Sequence, residues 1–131
     1  MTRADGKWEV SYRNPGARVS DIAVATDDVV IAVLYRGEIV RSIDGGKTWQ
    51  KIPLPSPYDE LFLGAAAFAD ATHGWLVGHR GTILSTSDGG ETWRFEAQVQ
   101  SFFLLDVEVS DNRIFAVGED GAIFWRERPR G

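Results

Sequence analysis

Hydrophobic positions along this chain fall in short runs, separated by clusters of glycine, asparagine and charged residues such as aspartate. In three stretches these runs recur in the same order. A run of small residues comes first: Ile22-Ala23-Val24-Ala25, Ala66-Ala67-Phe68-Ala69 and Asp106-Val107-Glu108-Val109. A second apolar run follows at Val30 to Leu34, Trp75 to Gly78 and Ile114 to Gly118. A tight glycine turn then leads to a third run at Ile39 to Ile43, Thr82 to Thr86 and Ala122 to Arg126. Runs rich in β-branched and aromatic residues, bounded by turn formers, predict strands. No stretch offers a long amphipathic helix, so the chain reads as all-β.

The runs belong to a repeat. Residues 21–44, 65–88 and 105–128 align without a gap, matching Val33 with Val77 and Val117, Gly37 with Gly81 and Gly121, and Ile39 with Ile83 and Ile123. Val77 lies 44 residues after Val33, and Val117 lies 40 after Val77. A period of this length built of short strands predicts β-propeller blades of four strands each. The dense alanines of the first run suit a crowded place near a propeller axis.

Between the third run and a fourth lies the sharpest motif. Ser42-Ile43-Asp44-Gly45-Gly46-Lys47-Thr48-Trp49 and Thr86-Ser87-Asp88-Gly89-Gly90-Glu91-Thr92-Trp93 share the pattern S/T-x-D-x-G-x-T-W. A hairpin accounts for it: Asp accepts backbone N–H bonds, glycine takes positive φ, and the Trp ring folds over the turn. On these residues the chain resembles the BNR/Asp-box repeat propellers. The string from Phe68 to Gly78, continuing through Gly81 to Thr86, looks most like the photosystem II assembly-factor type. The resemblance implies architecture and says little about activity, because such repeats occur in sialidases, sorting receptors and non-enzymatic assembly factors alike.

A strand count gives the expected assembly. The third unit lacks its fourth strand, and a worn copy of the turn, Asp5-Gly6-Lys7-Trp8-Glu9-Val10, precedes the first. The whole chain, 1–131, is expected to be one propeller unit, with repeats at about 21–52, 65–96 and 105–128 plus 5–13. Three blades are too few for a ring. A homodimer of six blades, in which each N-terminal strand completes the partner's last blade, covers the exposed faces and edges. A fragment of a longer propeller, or a higher oligomer, is the alternative.

Composition narrows the function classes. The 131 residues carry 14 basic and 19 acidic side chains, a net charge of -5, which argues against a general nucleic-acid surface. The longest nearly uncharged apolar run, Leu61 to Ala69, is half of what a membrane span needs. With no cysteine, thiolate metal sites, disulfides and cysteine nucleophiles are excluded. No apolar leader follows Met1, which suggests a cytoplasmic location. No cofactor or metal is expected, since His73 and His79 lack ligand spacing.

Candidate binding residues sit in the turns between second and third strands: Tyr35 and Arg36, His79 and Arg80, Glu119 and Asp120. These turns should share one propeller face with the connectors Pro53 to Phe62 and Gln98 to Leu104, where a rigid scaffold presents variable loops. They are ligand candidates or ordinary polar rim residues. Asp106 and Glu108, aligned with Ile22 and Val24 and with Ala66 and Phe68, are channel candidates: an acid–base pair, or carboxylates lining a wet channel. Phe102 and Phe103 dock a partner or tuck between blades. Asp44, Trp49, Asp88 and Trp93 read as structural. The expected function is a non-enzymatic propeller that binds a protein or small ligand through one face. The alternatives are a sialidase-like glycoside hydrolase, with Tyr12, Tyr35 and Tyr58 as the available nucleophiles, and a carbohydrate-binding lectin.

Overall fold

The computed structural model describes residues 6–99 and 103–128, and among them the alternating runs form eleven strands in three antiparallel sheets. The first is a meander of β1 (Val19–Val24), β2 (Val30–Leu34), β3 (Glu38–Ser42) and β4 (Gln50–Ile52). The second repeats it with β5 (Leu63–Phe68), β6 (Gly74–Gly78), β7 (Thr82–Thr86) and β8 (Arg94–Gln98). The third has β9 (Leu104–Val109), β10 (Arg113–Gly118) and β11 (Ile123–Glu127). The first strands converge, β1 packing on β5 and β5 on β9. This is the inner-strand arrangement of propeller blades, and the predicted ends of these strands stand within three residues of the observed ones.

Side chains alternate across each sheet, so every blade has two apolar faces to cover. At the first seam Ile31, Val33 and Ile39 meet Ala66, Leu76, Leu84 and Trp93 of the second blade. At the second seam Trp75, Val77 and Ile83 meet Leu104, Val107, Ile114 and Ala116. Full burial of such side chains is worth about 1.5–3 kcal/mol each. Polar bonds add register: Trp75 Nε1 donates to Glu96 Oε1 at 3.1 Å, and Arg126 Nε reaches Glu96 Oε2 at 2.8 Å. Arg128 closes a similar bond to Asp70 from the third blade to the second, at 2.9 Å.

One sequence expectation needs correction. Asp21 pairs with Val33, Ala65 with Val77 and Asp106 with Val117. The counterparts of Asp106 are therefore Asp21 and Ala65, and those of Glu108 are Ala23 and Ala67. The connection from β9 to β10 is one residue shorter than its counterparts, and a one-residue slip exchanges the two faces of a strand. Within the single chain residues 6–18 form no strand, and among the described residues the third sheet has three strands. The segment instead lays Tyr12 against Trp49, ring centroids 6.2 Å apart, over Ala32, Leu34 and Val40 on the free face of the first blade. Residues Met1 to Asp5 lie outside the described residues.

The turns from β3 to β4 and from β7 to β8 are alike. Asp44 Oδ1 accepts the N–H groups of Lys47 (3.0 Å) and Thr48 (2.9 Å), and Oδ2 accepts the Thr48 hydroxyl at 2.6 Å. Asp88 accepts from Thr92 N–H at 2.9 Å and from its hydroxyl at 2.6 Å. The Trp93 indole N–H donates to the Gly90 carbonyl at 3.0 Å while its ring sits 6% exposed in the first seam. Gly90 has φ +90°, and a Cβ there would meet Ile31 Cδ1 at 2.7 Å, so this turn fits close against the neighbouring blade.

These bonds set the acidity of both carboxyls. At Asp44 the Thr48 hydroxyl and N–H, with the Ser42 hydroxyl, hold the group well below the usual carboxylate range. At Asp88 burial pushes the other way, but bonds from Thr92 and Thr86 outweigh it and bring the pKa down to about 2. A carboxyl lowered by folding stabilises the native state fully above its ordinary value of 3.8 and loses that contribution as pH falls toward the folded value. Urea unfolding followed against pH should therefore show stability falling between about pH 4 and pH 2, and Asp88→Asn should flatten that limb. Replacing Trp93 by Ala should cost on the order of 3–5 kcal/mol in the same assay, and Trp49→Ala, at a half-buried ring, distinctly less.

Candidate functional site

Each blade ends its second strand by bonding back to the residue just before its first. Tyr35 N–H donates to Arg18 C=O (2.8 Å), His79 to Phe62 (2.8 Å) and Glu119 to Phe103 (3.1 Å). The approach is close enough that a Cβ on Gly78 or Gly118 would run into the carbonyl of Phe62 or Phe103. One bond per blade thus places two side chains together on the same face, near where the inner strands begin.

The six side chains make a continuous band. The Arg18 guanidinium lies 4.0 Å from the Tyr35 ring centre. Tyr35 stacks on Phe62 at 4.6 Å with planes 7° apart, and on Phe103 at 6.0 Å. His79 tilts against Phe62 at 5.7 Å and Phe103 at 5.9 Å. The Arg36 guanidinium stands 5.9 Å from the Phe62 ring. Stacked rings contribute about 0.5–1.5 kcal/mol per pair, and cations over rings a similar amount. At the far end Phe103 N–H faces Glu119 Oε1 at 3.4 Å. Beside the band, a groove of about 340 Å³ runs between Pro15, Arg18, Tyr35, Arg36 and Glu38. A second, of about 280 Å³, lies between Arg18, Tyr35, Phe103 and Leu105.

The structure thus brings Tyr35, His79 and Glu119 into one band and leaves Arg36, Arg80 and Asp120 exposed at its turn tips. Arg80 (φ 61°) and Asp120 (φ 70°) hold left-handed backbone, uncommon for residues other than glycine. Arg18 and Phe62 complete the band without having been singled out in the sequence. Their signal was the Phe-Leu pair, Phe62-Leu63 and Phe103-Leu104, opening two successive inner strands. Phe103 is part of the band, whereas Phe102 lies outside the described residues.

Asp106 and Glu108 stand elsewhere. Both are exposed on β9 and border an axial groove of about 260 Å³ with Asp21, Ile22, Ala66 and Phe68. Asp106 Oδ1 accepts the N–H of its own neighbour Val107 at 2.9 Å, and Asp21 Oδ2 accepts Ala66 N–H across the first seam at 3.1 Å. Both aspartates serve the inner strands as acceptors for backbone N–H. Among the described residues no group of three or more His, Asp or Glu side chains is arranged to hold a metal ion.

The family model described as Photosynthesis system II assembly factor YCF48 matches residues 54–128. Among solved structures, YCF48 bound to D1 peptide gives a TM-score of 0.75 at 20% identity, covering 84% of this chain and 38% of that one. YCF48 from Cyanidioschyzon merolae gives 0.68 at 20% identity, covering 89% and 39%. PorZ, a bacterial surface component of the type-IX secretion system of Porphyromonas gingivalis, gives 0.51 at 13% identity, covering 85% and 16%. This chain thus spans less than two fifths of either YCF48 chain. No curated protein gives a significant match. With more than half of its residues matched by that model, the chain belongs to the YCF48 family of BNR-type β-propellers.

Proposed function

We infer that this chain is a non-enzymatic β-propeller module that binds a protein segment across the face bearing Tyr35, Arg36, His79 and Arg80. The observation that carries this reading is the arginine-flanked aromatic band beside open grooves. Flat rings offer area to a peptide at little cost in side-chain entropy, and guanidinium groups take carboxylates or backbone carbonyls. Support also comes from the relative that was solved bound to D1 peptide. The working form in this reading is a closed ring completed by a second copy of the chain.

The glycosidase alternative has less behind it. Its three tyrosines are spread apart, Tyr12 against Trp49, Tyr35 in the band and Tyr58 stacked on Phe95 at 5.5 Å, so they do not share one pocket. A lectin would repeat its turn residues around the ring, and here Tyr35, His79 and Glu119 differ.

The test is a displayed library of extended peptides selected on the purified chain. Selected peptides should lose binding to the Arg36→Ala, Arg80→Ala double variant by at least about tenfold, with its melting temperature unchanged. Peptides retained in full by that variant would place the binding surface elsewhere.

A further inference from the structure

Resting on the two-copy reading above, we propose that the outer faces of the first and third blades, the first with Tyr12 of its own chain already packed over Ala32, Leu34 and Val40, form a seam between two copies of this chain, aligned by an ion pair between Arg18 and the partner's Glu119. The argument is a series with one term to go. At the first seam Tyr35 stacks on Phe62, and at the second His79 lies against Phe103. The backbone bonds make Tyr35, His79 and Glu119 equivalent, and likewise Arg18, Phe62 and Phe103. One step further, Glu119 of the third blade meets the residue equivalent to Phe62 and Phe103, which is Arg18. Opposite charges stand where the other seams place two rings.

The rest of both faces follows the same register. Asp21 accepts the N–H of Ala66 across the first seam. Asp106 holds the position of Asp21 in the third blade, with one oxygen on Val107. Its other oxygen serves the partner's Ile22 N–H, the counterpart of Ala66. Ile39 and Ile83 are 0% and 9% exposed in the two seams, yet Ile123, third in that series, is 69% exposed and Trp125 beside it 56%. On the first blade Ile22 and Val24 are 57% and 60% exposed. They edge a groove of about 550 Å³ that also touches Val10, Gly46 and Trp49. Gly46 corresponds to Gly90, which receives Ile31, and the residue at Ile31's place in the third blade is Phe115.

The strand edge agrees. Among the described residues β11 pairs with β10 alone, while Trp8 and Val10 expose 99% and 66% of their surface on the same chain. Residues 6–10 crossing to the partner's β11 give the third sheet a fourth strand. A two-fold axis makes this seam twice and closes six blades.

The chain has no cysteine, so single cysteines report the seam directly. Arg18→Cys and Glu119→Cys chains, mixed and oxidised, should give a disulfide-linked pair of chains that neither variant gives alone. By light scattering the unaltered chain should have the mass of two. Arg18→Glu or Glu119→Arg should weaken that dimer by about tenfold or more, and the double exchange should restore it. A mass of one chain at all concentrations overturns the ring and the seam together. A dimer that forms no mixed disulfide and ignores both charge reversals overturns the seam alone.

Discussion

Ile39, Ile83 and Ile123 occupy the same place in three successive sheets, and only the first two are lost from water. The constraint behind this contrast governs the molecule. Each sheet is apolar on both sides, so no blade is stable until a neighbour lies on either side of it. Strand lengths, the small residues of β5 and the tight turns all follow from bringing such sheets close together. Ala65, Ala66 and Ala67 let the inner strand lie against both neighbours, which longer side chains would prevent. Toward the rim the blades diverge, and Trp75 and Trp93 fill the wider space.

The same closeness explains why the turns and the aromatic band are so ordered. In these turns Asp44 and Asp88 accept the amides that no strand partner takes, and the low pKa of Asp88 is the electrostatic result of those bonds. On the opposite face, the bond from the end of the second strand to the start of the first fixes Tyr35 beside Arg18 and His79 beside Phe62. The chemistry of that face is thus a product of blade closure, with side-chain identity free to vary at a fixed geometry. This is how one architecture serves many ligands.

Much of this was legible in the chain itself. The period, the strands and the paired turns could be read because hairpins are local and their residues are chosen for backbone reasons. The turn residues Tyr35, His79 and Glu119 could be placed on one face for the same reason. Arg18 and Phe62 could not, since what marks them is a bond to a residue 17 positions later. The counterparts of Asp106 and Glu108 were misassigned because a gapless alignment has no means of sensing a shortened hairpin. Only the pairing of β9 with β10 shows it. The segment over the first blade was read as a strand from its worn turn motif and the count of strands; within the described residues it joins no sheet and packs through Tyr12 on Trp49.

The hairpin between β9 and β10 has a consequence for how this sequence can vary. Surface hairpins usually tolerate a gained or lost residue. Here the connection, already one residue short, decides which side of β9 holds valines and which holds carboxylates. Restoring the missing residue without a matching change in β9 would turn Asp106 and Glu108 into the second seam and Val107 and Val109 out of it. Two charges would then be stranded among Trp75, Val77 and Ala116, at a cost of several kcal/mol each. The length of this exposed loop thus bears on the second seam as directly as an interior residue does.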